Sequence, residues 1–182
     1  KLIDRTLVWV DQAMNLQPRL IDSWEWSDDA TTITMHLRKG LKYFDGTEFT
    51  SGDFKWYYEN FAQNEELSPS PPTKLCTLDE DGNKVLCEAT FPDDYTVVYK
   101  FAHPNPLFLY GALRSLYDYR QPAHYMAQYH MDLTDDTDAL EAAVEEAGFG
   151  SWTELYEDRN YWYLNPERPL TTPWIAKNSL SA

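Results

Sequence analysis

The chain is predicted to fold as an α+β domain, a small and mostly antiparallel sheet packed by helices. Three observations carry this. Short runs alternate apolar and polar residues, clusters of Asp, Gly and Pro punctuate them, and capping signals open helices between the strands. The 182 residues suffice for one domain with a buried core, and a hydrophobic content of 43% with seven Trp, thirteen Tyr and eight Phe favours a folded chain over a disordered one.

The elements follow in order. Trp24 and Trp26 alternate with Glu25 and Ser27 in a strand near 24–27, and Asp28-Asp29-Ala30 turns the chain. Ile33, Met35 and Leu37 then face one side of a strand over 31–38, ended by Lys39-Gly40. Asp45-Gly46 marks a further turn. Thr50 is an N-cap with Asp53 three residues on, a variant of the capping box, so a helix is expected over 51–64 with Phe54, Tyr57, Tyr58 and Phe61 at helical spacing. A proline-rich loop at 68–72 precedes strands near 85–91 and 95–101. Asn105 and Pro106 read as N-cap and first residue of a helix over 106–117, with Leu109, Leu113 and Leu116 as its buried stripe. Residues 122–131 read as a short helix. Leu140, Ala143, Val144 and Ala147 form an amphipathic one closed by Gly148, and Ser151 with Glu154 caps another. Residues 160–174, aromatic and holding three prolines, are expected to run irregularly over the surface. Trp152, Tyr161, Trp162, Tyr163 and Trp174 lie outside the strongest periodic segments and are the aromatics free to contact something else.

Cys76 and Cys87 flank the turn-forming residues 79–83. A hairpin centred between Asp81 and Gly82 sets the two cysteines opposite each other, which makes a disulfide a candidate. A four-residue loop would place them at a non-hydrogen-bonded pair, where side chains approach closely; a two-residue turn gives the less favourable site and leaves two free, buried thiols.

The net charge of −15 disfavours nucleic acid and anionic membrane surfaces, and no apolar run approaches the roughly 18–20 residues of a membrane span. Between 132 and 158 the chain carries many Asp and Glu and no Lys or Arg, which reads as a solvated helix face or as an acidic docking surface.

Catalytic and metal signatures are weak. Asp79, Asp81, Gly82 and Glu88 match part of a calcium loop, but Thr77 stands where its first carboxylate belongs. His36, His103, His124 and His130 show no zinc spacing. The pairs Asp28-Asp29 and Asp93-Asp94 are adjacent turn formers rather than opposed acids. No nucleophile elbow, phosphate loop or dinucleotide glycine pattern is present. The expectation is a non-enzymatic protein with no cofactor and no metal.

The most specific signal lies between residues 18 and 58. Trp24-Glu25, Asp28-Asp29, Leu37-Arg38 with Gly40, Phe44-Asp45-Gly46, and Phe49-Thr50 with Asp53 follow one another in an order that resembles the signature block of the bacterial extracellular solute-binding proteins of family 5, the oligopeptide- and dipeptide-binding components of ABC importers. Residues 93–97 and 104–109 also resemble that family, and segments within 124–152 resemble an extension found in a subset of it.

The resemblance implies a type II periplasmic-binding architecture with two lobes closing on a solute, of which this chain is a fragment. It places residues 1–125 in an α/β subdomain of lobe one and residues 126–182 in a helical extension running back toward the missing lobe. It implies an extracytoplasmic location, periplasm or cell surface, with or without a lipid anchor. The partners it implies are the remainder of the receptor, an ABC permease, and a peptide or other small solute. The family's principal ligand contacts lie in the two main lobes, so no ligand-binding residue is assigned. The alternative is an independent carbohydrate- or protein-interaction module with exposed aromatics.

Overall fold

The structure is a computed structural model that describes residues 6–113, 119–161, 163–171 and 178. Its centre is a four-stranded antiparallel sheet in the order β3 (Ile21–Trp26), β4 (Thr32–Leu37), β8 (Thr96–Lys100) and β7 (Glu88–Asp93). The alternation decides which face is covered. Ile33, Met35, Val97 and Tyr99 are fully buried on one side, while Thr34, Thr96 and Val98 stand half-exposed on the other. Each large side chain so buried contributes about 1.5–3 kcal/mol. Bulges interrupt the pairing between Ile21 and Ser23 and between Thr90 and Asp93.

The covering layer begins with α1 (Ser51–Trp56). The Thr50 side chain accepts from Gly52 N, and Asp53 completes the capping box. The helix then widens into a π-helix, Tyr57–Ala62, where the sequence pattern predicts a regular helix over 51–64. Here Tyr57 stacks on Phe61 with ring centroids 5.1 Å apart, and Phe61 stacks in turn on Tyr156 at 6.3 Å. Helix α2 (Phe108–Ala112) starts later than Asn105 and Pro106 suggest; Asn105 N donates to Ala30 O at 2.9 Å, and its carbonyl accepts from Phe108 N in a turn ahead of the helix. Leu109 is buried and Leu113 half-buried as its stripe requires. Leu116, like Trp162 and Trp174, lies outside the described residues.

Two further hairpins flank the sheet. β1 (Val8–Val10) pairs with β2 (Leu16–Pro18), a hairpin that the sequence pattern does not announce. β5 (Cys76–Leu78) pairs with β6 (Lys84–Leu86), and the predicted strand over 85–91 is broken at Cys87 between β6 and β7. The register corrects the cysteine pairing. Cys76 faces Leu86, and Cys87 N donates instead to Leu75 O. The cause is an odd-numbered loop: Asp79 N donates to Asn83 O, and Gly82, at φ +82°, takes the left-handed position that a three-residue connection requires. One residue of slip carries neighbouring side chains to opposite faces. Both cysteines are free thiols, Cys76 half-buried and Cys87 buried.

The C-terminal part contains α3 (Ala123–Met126) with a 3-10 turn Ala127–Tyr129, α4 (Thr137–Ala147) and α5 (Trp152–Asn160). The expected helix over 122–131 is thus shorter and tightens at its end. Asp136 caps α4, and Gly148 at φ +75° closes it. Leu140 is buried on its inner face, whereas Ala147 is exposed rather than part of the stripe. Ser151 accepts from Glu154 N, and Glu154 reaches back to Gly150 N rather than to Ser151 itself.

Candidate functional site

Part of the signature, chiefly Asp45 and Asp53, meets at a junction between the sheet body and the C-terminal helices. The turn 43–47 is closed by Tyr43 N donating to Thr47 O, with Gly46 at φ +92°, and Thr47 N donating to Asp45 Oδ1. This aims Asp45 at His124, whose Nε2 lies 2.8 Å from Asp45 Oδ2. The Tyr43 ring sits 5.3 Å from that imidazole. Burial works to raise the Asp45 carboxyl, but the Thr47 amide and His124 outweigh it and hold it below the usual carboxylate range.

Asp53 is the centre of the junction and only 4% exposed. Oδ2 accepts from Thr50 N at 3.1 Å, Oδ1 accepts from Ala123 N at 3.2 Å, and its backbone carbonyl accepts from Gln121 N at 3.1 Å. One side chain thereby caps both α1 and α3. Burial pushes its carboxyl up to about 6, against the opposing pull of the Thr50 and Ala123 amides, the Tyr43 hydroxyl and His124. A raised carboxylate in a cleft would suggest acid–base chemistry. Here both oxygens are engaged by backbone amides, so the geometry describes a clasp.

The other signature residues do separate work. Asp29 accepts from the Ser27 hydroxyl, Thr31 N and the Thr31 hydroxyl, and so builds the β3–β4 turn, with Ala30 in the left-handed region at φ +53°. Asp28 is exposed on the same turn. Trp24 is half-buried against the core and Glu25 exposed beside His36. Leu37 is buried, and Arg38 reaches Asp22 at 3.2 Å. Gly40, at φ +73°, turns the chain out of β4. Phe49 is fully buried beneath the Arg120 guanidinium, which lies 5.6 Å from the ring centroid. Phe44 N donates to Leu170 O, tying the far end of the described chain to the same turn.

A second cluster fastens the C-terminal helices to the π-helix. His130 is 2% exposed; its Nδ1 accepts from Asp132 N at 3.3 Å, which leaves the proton on Nε2 to donate to Asn60 O at 3.1 Å. The Trp152 ring packs 5.0 Å from this imidazole, and its Nε1 donates to Glu66 at 2.8 Å. Trp152 is therefore engaged within the chain, not free for a ligand. Tyr161 is 40% exposed with Tyr163 5.3 Å away. No sequence signal points to His130, since a lone histidine before an acidic run carries no periodicity.

Among the described residues, the grooves open to solvent include the following. One of about 720 Å³ lies at the end of the sheet beside His36, Arg38, Lys39, Asp93 and Tyr95. Arg38 there pairs with Asp22, and Lys39 lies over the Tyr95 ring. Another of about 400 Å³ runs between the turn after α3 and helix α4. The partial calcium-loop residue Asp79 spends its oxygens on Asp81 N, Asn83 N and the Asn83 amide.

Comparison with known proteins agrees with this architecture. Residues 15–167 match the bacterial extracellular solute-binding proteins, family 5, middle region, and the chain belongs to that family. It is 40% identical over 52 residues to the periplasmic alpha-galactoside-binding protein of Rhizobium meliloti, covering 29% of this chain and 8% of that protein. It is 32% identical over 108 residues to the periplasmic oligopeptide-binding protein OppA of Haemophilus influenzae, covering 55% and 20%. Among solved structures, an oligopeptide-binding protein OppA superposes with a TM-score of 0.81 at 29% identity over 97% of this chain and 26% of its own. The binding protein MelB of Agrobacterium fabrum, in complex with stachyose, shares the fold with a TM-score of 0.65 at 23% identity, covering 95% and 24%. The chain spans about a quarter or less of each of these relatives.

Proposed function

We propose that the chain is a structural part of an extracytoplasmic receptor that captures an oligopeptide-like solute and delivers it to an ABC permease. Residues 1–125 form the subdomain of lobe one and residues 126–182 its helical extension. The observation that supports this most is the superposition on OppA, which takes in nearly all of this chain but only 26% of that protein. A closing receptor buries its solute between two surfaces, and binding free energy comes from both. The buried Asp53 and His130 are engaged by Ala123 N and Asn60 O, where they fasten one helical segment to another.

Calorimetric titration with uncharged peptides and neutral oligosaccharides tests the reading. The full-length receptor saturates with its solute and this chain does not. Saturable micromolar binding of such solutes by this chain alone would favour an independent interaction module.

A further inference from the structure

We infer that the groove between the turn after α3 and helix α4 is a docking site for a basic, aliphatic-anchored segment of a partner polypeptide. The groove is about 400 Å³, and its apolar lining includes Ala127, Leu133, Ala139, Leu140 and Ala143. Leu133, 41% exposed, is an apolar side chain that the described residues leave partly uncovered. The small alanines of α4 keep the floor shallow enough for an extended segment to lie along it.

The rim decides the chemistry of the occupant. Asp135 and Asp136 stand at the head of the groove. Asp136 is partly spent on capping Ala139 N, whereas Asp135 is exposed and has no partner among the described residues. Asp132, ahead of the groove, and Glu146, less than a turn beyond Ala143, are exposed, and neither meets a cation among the described residues; Asp138, Glu141 and Glu145 lie on the far face of α4. No Lys or Arg occurs between 132 and 158 to neutralise them. At the other end His124 is engaged by Asp45. A lysine or arginine matches this arrangement, its aliphatic stem over Ala139 and Leu140 and its cationic head at Asp135. An acidic segment would meet only like charge. Because the groove is open along one side, a small free solute would keep much of its surface in water. A segment anchored in a larger partner gains contact on both sides of it.

The test uses this chain, isotopically labelled, and an acetylated, amidated Leu-Lys-Leu-Leu-Lys-Leu peptide as probe, followed by amide chemical shifts. The expected result is saturable shifts confined to residues 124–143, an affinity falling about tenfold or more between low and high salt, and no binding of the counterpart with Glu in place of Lys. Asp135→Lys and Ala143→Arg, both at exposed or half-exposed positions, should each abolish the shifts. The inference is overturned if the lysine probe gives no saturable shifts, if the glutamate peptide binds equally, or if neither substitution weakens binding. The uncharged solutes that test the receptor reading carry no cation, so the two results are independent.

Discussion

Asp53 Oδ1 lies 3.2 Å from the backbone nitrogen of Ala123, seventy positions along the chain. Through that contact a residue fixed by its own helix cap also starts the first C-terminal helix. The junction links a local motif to a long-range fold.

Stability should therefore respond to pH through Asp53. Its folded value of about 6 exceeds the ordinary 3.8, so the folded state takes up a proton where the unfolded state remains ionised. The favourable contribution is fully present below about pH 4 and is lost as pH rises through 6. Its span is on the order of 2–3 kcal/mol. Urea unfolding of the wild type and Asp53→Asn between pH 4 and 7 should show this slope in the first and its absence in the second.

The capping box gives a simpler expectation. Thr50→Ala leaves Gly52 N without its side-chain acceptor and should cost about 1 kcal/mol. Phe49→Ala, which empties a fully buried site beneath Arg120, should cost about 3–5 kcal/mol. A chemical denaturation midpoint that moves more for Thr50→Ala than for Phe49→Ala would contradict this ordering.

Thiol chemistry should separate the two cysteines. Burial pushes Cys87 up to about 12, and its side chain is 1% exposed. Cys76 is raised less and is half-buried. Under native conditions an alkylating reagent should modify Cys76 first, with Cys87 reacting only on unfolding. Mass spectrometry after timed alkylation of non-reduced protein would also expose a disulfide, whose presence would refute the pairing of Cys76 with Leu86.

The imidazole of His130 should be the Nε2–H tautomer, and long-range nitrogen–proton spectra report this directly. His130→Ala would remove the bond to Asn60 O and the packing against Trp152, loosening α5 before the sheet in hydrogen exchange.

The sheet is readable in the sequence because its signal is local. Ile33, Met35 and Leu37 alternate with polar residues, and period two needs no knowledge of distant chain. Thr50 and Asp53 likewise announce a helix start three residues apart. The cysteine register is not readable, because it turns on whether residues 79–83 close with an even or an odd loop, and Gly82 permits both. The partners of Asp53 and His130 are hidden for another reason. Ala123 N and Asn60 O are backbone groups, present at every position and marked by no residue type.

The π-helix at 57–62 has an evolutionary implication. Such a segment is an α-helix holding surplus backbone, and its i→i+5 bonds absorb the excess without interrupting the helix. Loss of one residue within it would restore the regular pitch and redraw the turn over 57–62 itself, where side chains and carbonyls are now placed by the wider coil. Phe61 would leave the column it shares with Tyr57 and Tyr156, and Asn60 O would turn from His130. Drift in length is thus closed off at this point, while the exposed proline loop just beyond it is free to lengthen or shorten.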